Sequence, residues 1–171
     1  MGDNPLFVCG RATLKLARAV VGILDKELID INIRIFADGE PWYQIPDYRN
    51  IEGKIVCLIQ STGFPVQVTY FDTFGLLKAI KDKNPAKLIC VMPFMGFRRQ
   101  ERDKHGGEAV MVELMAKYIE IAGADEIILC DPHSNKTLEF FSIPVHVINS
   151  NHVFAHLLLA VSLDNYVVMA P

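Results

Sequence analysis

The sequence predicts a doubly wound α/β fold: a mostly parallel sheet with helices on both faces, plus a small flap near residues 31–45. Three observations carry this expectation. Short, continuously apolar runs recur along the chain, segments of helical periodicity separate them, and polar clusters follow the runs at their carboxyl ends. Strands covered by helices on both sides need continuous apolarity, where a half-exposed strand would alternate. Strand–helix alternation then builds a layered sheet with right-handed crossovers.

The elements follow in order. "LFVC" (6–9) reads as a strand, and "ATLKLARAVVGIL" (12–24) as a helix with Leu14, Ala17, Val21 and Leu24 at helical spacing. "INIRIFADGEPWYQI" (31–45) differs, with two short extended runs hinged at Asp38-Gly39, as in a hairpin-like flap. "IVCLIQ" (55–60) is a second buried strand, and "YFDTFGLLKAIK" (70–81) a helix that turns Phe71, Phe74, Leu77 and Ile80 inward. The strands "KLICVMPF" (87–94) and "EIILCDP" (126–132) flank "GGEAVMVELMAKYIEIAG" (106–123). Glycines open that helix, Glu108 lies near its positive end, and Gly123 closes it. "YVVMAP" (166–171) reads as a last strand that stops where its loop should begin, so the chain is expected to be a fragment of something longer. Residues 1–171 read as one domain, without internal repeat or linker.

A length of 171 residues suits one domain with a substantial core. Net charge −3 and a pI near 5.9 argue against a general nucleic-acid or membrane-surface binder. No apolar run approaches the roughly 20 residues that span a bilayer, and "MGDNPLFVCG" lacks the features of a signal peptide. Its Met-Gly start resembles a myristoylation signal, but Leu6 stands where Ser or Thr is expected. Cys9, Cys57, Cys90 and Cys130 lie far apart in or beside apolar runs, with no close CxxC pair, and read as reduced core thiols. The expected location is cytoplasmic.

Ligands of open α/β sheets lie outside the carboxyl ends of the strands. "GRAT", "QSTGFP", "MGFRRQERD" and "DPHSNKT" all fall there. Arginine suits phosphate because its planar fork donates two parallel hydrogen bonds and stays charged. Arg98, Arg99 and Arg102 are therefore candidates for a triphosphate, with Gln100 free to address base or sugar. The competing reading is a solvated turn neutralised by Glu101 and Asp103. Neither GxxxxGK[ST] nor GxGxxG occurs. His133, after Asp131-Pro132, is open to three readings: a divalent-metal ligand, an acid or base, or a simple hydrogen-bonding residue. His105 and His146 show no ligand spacing, and His152 and His156 are four apart on a further helical stretch with no third ligand nearby. In "FADGE" (36–40), Phe36 suits a purine face while Asp38 and Glu40 can accept from its amino group or from ribose hydroxyls. An ordinary turn with Phe36 in the core is the alternative.

Taken in order, "FADGE" (36–40), "IQS" (59–61), "VMPFMGFRRQERD" (91–103), "GEA" (107–109), "AGADEIILCDPHS" (122–134) and "EFFSIPV" (139–145) resemble the amino-terminal half of ribose-phosphate diphosphokinase, or phosphoribosyl pyrophosphate synthetase. The resemblance covers most of residues 5–171. It implies a phosphoribosyltransferase-like fold and transfer of the β,γ-diphosphoryl group of ATP to ribose 5-phosphate with Mg²⁺, by positioning and charge neutralisation. It further implies that Arg99 binds ATP phosphate, that Gln100 contacts the nucleotide, and that His133 is a Mg²⁺ ligand or holds a metal-bound water. Phe36, Asp38 and Glu40 would then form the adenine pocket of a neighbouring subunit in a dimer or hexamer. Several features depart from the family pattern. The chain stops before the family's Asp-Gly loop, and the segments with its catalytic Lys and Arg and its ribose 5-phosphate loop lie beyond, so no catalytic residue is assigned and activity alone is not expected. The family's Asn-Asp pair is not visible in "FPVQVTYFDTFG" (64–75), Arg98 stands for Ala, and Glu101 for Asp. The spacing around "PDYRNIEG" (46–53) also differs, so no allosteric residues are carried over. A non-catalytic associated subunit is the rival reading. A true phosphoribosyltransferase is disfavoured by the missing acidic and Thr-Gly-Gly-Thr run.

Overall fold

The computed structural model of the chain describes residues 4–46, 49–161 and 169. Its strands are β1 (Leu6–Cys9), β2 (Leu28–Ile29), β3 (Asn32–Ile35), β4 (Pro41–Gln44), β5 (Ile55–Ile59), β6 (Lys87–Met92), β7 (Glu126–Cys130) and β8 (Val145–Ile148). The helices are α1 (Leu14–Leu24), preceded by a 3₁₀ turn at Arg11–Thr13, α2 (Val66–Lys81), α3 (Met111–Ile121), α4 (Lys136–Glu139) and α5 (Asn151–Ala160). All pairings of the main sheet are parallel, in the order β2-β1-β5-β6-β7-β8. The winding reverses between β1 and β5, and the carboxyl ends of these two strands flank the crevice where such sheets take ligands.

Alternate side chains explain the apolar runs. Val8, Val56, Leu58, Leu88, Cys90, Met92, Ile127 and Leu129 face α2 and α3 in the larger core. Phe7, Cys9, Cys57 and Ile59 face Ala17 and Val21 of α1. At the margin of that cluster Ile89 and Val91 are only half-buried, as is Ile128, so β6 and β7 alternate where continuous burial is predicted. That face carries an ionic ladder at its amino end: Lys87 Nζ lies 2.6 Å from Glu126 Oε1, and His146 Nε2 lies 3.6 Å from Oε2. Hydrogen bonding from Lys87 is the main cause holding the Glu126 carboxyl below its usual range.

Several boundaries differ from the sequence reading. The strands predicted to end at 60, 94 and 132 leave the sheet earlier, at Ile59, Met92 and Cys130, and their last polar or Pro-containing residues build the loops. α2 begins at Val66 and buries Thr69, Tyr70, Asp72, Thr73, Leu76, Leu77 and Ile80. Phe71, expected inward, is 66% exposed. Polar residues on the buried side hide its true direction from an apolar count. α3 begins at Met111, because Gly106 and Gly107 sit at φ +80° and +82°, in the left-handed region that helices do not use. Instead, the Asp103 carboxylate accepts from the backbone N–H groups of His105, Gly106 and Gly107 at 3.1, 2.6 and 2.8 Å. Glu108 accepts from the Lys104 N–H at 2.9 Å and does not cap the helix. β2 is too short for periodicity to reveal, and in β8 three of the four residues are exposed. The strand expected at 166–171 lies outside the described residues, apart from Met169.

The flap is as the sequence predicts: β3 and β4 pair antiparallel, Asn32 opposite Gln44 through Ile35 opposite Pro41. The Phe36 N–H donates to the Glu40 carbonyl at 2.9 Å and the Gly39 N–H to the Phe36 carbonyl at 2.9 Å, closing its turn. Among the described residues no helix is long and apolar enough to cross a membrane. All four cysteines are free thiols, with Cys9, Cys57 and Cys90 buried and Cys130 half-buried. Burial pushes the Cys57 thiol up to about 11 and the Cys90 thiol up to about 12. A thiolate-selective disulfide reagent at pH 8 is therefore expected to label Cys130 first, and the other three only as urea unfolds the chain. Prompt labelling of Cys90 in the native state would contradict this packing.

Candidate functional site

The loop after β6 is set by its packing. Gly96 donates its N–H to Thr62 Oγ1 at 2.8 Å and accepts at its carbonyl from the Tyr70 hydroxyl at 2.9 Å. The Thr62 N–H donates to the Phe94 carbonyl at 2.9 Å, and Phe97 stacks on Tyr70 with ring centroids 5.6 Å apart. The loops after β5 and β6 are thus stitched together on α2, which fixes where the following residues start.

Those residues divide into two kinds. Arg98 lies over the Phe94 ring, 4.6 Å from its centroid, and donates Nη1 to the Asp131 carbonyl at 3.2 Å. Glu101 is buried, accepts from the Ser134 hydroxyl, and has Arg102 Nε at 3.6 Å. Arg98 and Glu101 therefore brace the loop after β6 against the loop after β7. Both are also positions where the sequence departs from the resembled pattern, Arg98 standing for Ala and Glu101 for Asp. Asp131 holds φ +45° and accepts from the Ser150 N–H at 2.9 Å, and hydrogen bonding from Ser150 is the main cause lowering its carboxyl. Replacing Ser134 with alanine should cost about 1–2 kcal/mol, because the buried Glu101 carboxylate loses its hydroxyl donor. Urea unfolding measures this, and an unchanged midpoint would reject the brace.

Arg99 and Gln100 are the opposite kind. Both are exposed, and neither side chain makes a hydrogen bond or ion pair among the described residues. They line a groove with Arg102, Lys104, Glu108 and Ala109. Three cations there face one carboxylate, and such a groove favours an anion rich in oxygen acceptors. The sequence left a ligand loop and a solvated turn neutralised by Glu101 and Asp103 as alternatives. The structure assigns bracing to Arg98 and Glu101 and leaves Arg99 and Gln100 unengaged.

His133 is exposed next to Ser134, so the Glu101–Ser134 contact ties its loop to the arginine loop. Among the described residues no three His, Cys, Asp or Glu side chains are grouped to hold a metal. Mg²⁺ takes oxygen ligands in near-octahedral geometry, while Asp131 is committed to Ser150 and Glu101 to Ser134. The described residues do not make a Mg²⁺ centre by themselves. The lone imidazole suits a metal-bound water or a phosphate oxygen.

Phe36 is 52% exposed, and Asp38 and Glu40 are exposed beside it, so the reading that places Phe36 in the core is wrong. Asp38 Oδ1 accepts from the Glu40 N–H at 3.1 Å. Asp38 and Glu40 line a second groove with Arg11, Gln67, Phe71 and Asp72. This groove shares no residue with the one around Arg99. The candidate residues thus form two separate groups on one chain. The sequence reading missed Asp72, Tyr43 and the part played by Arg11. No pattern in the sequence marks them: Asp72 shares the buried side of α2 with Thr69 and Thr73, and Tyr43 and Arg11 stand 29 and 61 positions away from it.

Fold and site together define a class: a doubly wound α/β protein with an arginine-rich loop at the carboxyl end of its parallel sheet. Within that class the chain belongs to the ribose-phosphate pyrophosphokinase family, for residues 6–123 match the family model of the N-terminal domain of ribose phosphate pyrophosphokinase. It is 33% identical over 160 residues to ribose-phosphate pyrophosphokinase of Methanothermobacter thermautotrophicus, covering 94% of this chain and 54% of that one. Identity to the Methanobrevibacter smithii protein of the same name is 36% over 142 residues, covering 81% and 46%. The crystal structure of phosphoribosylpyrophosphate synthetase from Mycobacterium smegmatis superposes with a TM-score of 0.88 at 25% identity, covering 94% of this chain and 53% of that one. The chain spans about half the length of the curated relatives it matches.

Proposed function

We propose that this chain is the ATP-binding half of a ribose-phosphate pyrophosphokinase, in which ATP donates its β,γ-diphosphoryl group to ribose 5-phosphate. One observation carries the reading: Arg99 and Gln100 stand exposed and unengaged in a cationic groove while their neighbours Arg98 and Glu101 are tied down. Arg99 presents its fork to phosphate oxygens, and Arg102 and Lys104 add charge. Gln100 addresses the nucleoside. Mg²⁺ carried by the triphosphate would supply neutralisation of its charge, and His133 would be the residue to hold a water or an oxygen of that complex.

Phe36, Asp38 and Glu40 serve the adenine. Since the groove of Asp38 and Glu40 shares no residue with that of Arg99, a full nucleotide site takes the arginine loop of one copy and the flap of another, within a homodimer or hexamer. No catalytic residue is assigned, and the chain alone is expected to be inactive. A non-catalytic associated subunit is the second reading, and loss of nucleotide binding with intact self-association would favour it. Calorimetric titration with ATP and Mg²⁺, run beside light scattering, tests the proposal. Saturable binding by a dimer or larger assembly is expected. A folded chain that binds no ATP at any concentration up to millimolar would overturn the ATP-binding reading.

A further inference from the structure

The junction between the flap and α2 holds a buried charge that the nucleotide reading leaves unused. Asp72 is 2% exposed. Its Oδ1 accepts from Arg11 Nη2 at 2.7 Å and from the Tyr43 hydroxyl at 2.7 Å, and its Oδ2 accepts from Arg11 Nε at 3.1 Å. Three elements meet on this carboxylate: the turn after β1, strand β4 and helix α2. Burying a carboxylate is costly unless it is paired and hydrogen-bonded, and a two-pronged arginine contact admits one geometry. A second contact fixes the same junction. The Tyr43 ring lies against Gly75, where an added Cβ would come within 2.1 Å of Tyr43 Cε2.

This matters for the flap because β3 and β4 pair only with each other and form a sheet of their own. The main sheet therefore does not fix the flap's angle by hydrogen bonding. Tyr43 gives it a polar attachment to the body, and the other half of that attachment, Arg11, stands at the switch point and lines the groove of Asp38 and Glu40.

We propose that Arg11, Tyr43 and Asp72 form a latch that fixes the angle of the flap, which makes Tyr43 and Asp72 positioning residues for Asp38 and Glu40. The link from flap to nucleotide rests on the function proposed above. Tyr43→Phe removes one hydroxyl and leaves the Arg11–Asp72 pair whole, so it frees the flap without leaving the buried carboxylate unpaired. Asp72→Asn weakens both arms. Trp42, the single tryptophan, lies next to Tyr43 with Arg34 over its ring at 5.1 Å, and its emission reports on the flap.

The experiment uses the 171-residue chain. Amide hydrogen exchange over residues 32–44 and acrylamide quenching of Trp42 are measured for the native protein, Tyr43→Phe, Arg11→Lys and Asp72→Asn. ATP and inorganic tripolyphosphate are titrated in parallel with Mg²⁺. In Tyr43→Phe, exchange over 32–44 should rise about tenfold, as expected for one lost hydrogen bond to a charged acceptor, with exchange in β5 and β6 unchanged. ATP should bind about tenfold more weakly, while tripolyphosphate affinity stays the same, because the phosphates are held at Arg99. Arg11→Lys, which keeps one bond, should fall between native and Asp72→Asn. Unchanged exchange and quenching in Tyr43→Phe would overturn the latch. A loosened flap with native ATP affinity would overturn the positioning role. Should the native chain bind no ATP, the proposed function fails and the exchange data still decide the latch.

Discussion

Replacing Arg99 with alanine is expected to weaken ATP binding by about ten- to a hundredfold and to leave the unfolding midpoint where it was. The side chain is exposed and holds nothing within the described residues, so its loss removes no native contact. Its fork, directed at phosphate, supplies charge-assisted hydrogen bonds of about 1.5–3 kcal/mol, which is that range of affinity. Arg98→Ala is the control with the opposite signature. It gives up the Phe94 and Asp131 contacts, so it should lower stability and change phosphate affinity less. Calorimetry and urea unfolding on both variants separate the roles. Native ATP affinity in a folded Arg99→Ala would remove Arg99 from the site.

Gly96→Ala should destabilise the protein by about 2–3 kcal/mol, the upper part of the range for overpacked interiors. A Cβ there would lie 2.5 Å from the Thr62 carbonyl oxygen, 3.1 Å from Tyr70 Cε2 and 3.2 Å from Val66 Cγ1. The closest atom is backbone and has no rotamer to retreat into. Relief requires moving either the loop after β5 or the one after β6, which breaks the Gly96–Thr62 or Tyr70–Gly96 hydrogen bond. Gly96 is also the root of the arginine loop, so ATP binding should weaken in the same variant. Urea unfolding with an unchanged slope and a lower midpoint is the expected record. A shift under about 0.5 kcal/mol would show that the loops are not clamped as described.

The sheet was legible because its central strands are apolar on both sides, and the flap because Asp38-Gly39 interrupts two extended runs. The arginine loop was legible as a place for charge. Which arginine does what was not, since Arg98 and Arg99 are neighbours of one type and differ only in whether a distant partner reaches them. Glu101 finds Ser134 and Arg11 finds Asp72 across 33 and 61 positions, and no periodicity encodes such meetings. The direction of α2 was misread for a related reason: Thr69, Asp72 and Thr73 are polar and buried, so counting apolar residues turned Phe71 inward. The start of α3 was misjudged because two glycines resemble a helix opening in sequence, and their positive φ appears only in three dimensions.

The winding order also sets how much chain each pairing must enclose. β7 and β8 pair Ile127 with Val145, and β1 and β2 pair Phe7 with Leu28, so each pair closes a short stretch of chain. β1 and β5 pair Leu6 with Val56, with α1, β2 and the whole flap strung between them. Closure entropy grows with the length of chain enclosed, and distant pairings slow folding. The seam between β1 and β5 encloses the longest stretch of chain of any pairing in the sheet. Arg11 and the crevice at the head of that seam need both strands in place, so a ligand held there adds its binding energy to the stability of the native state.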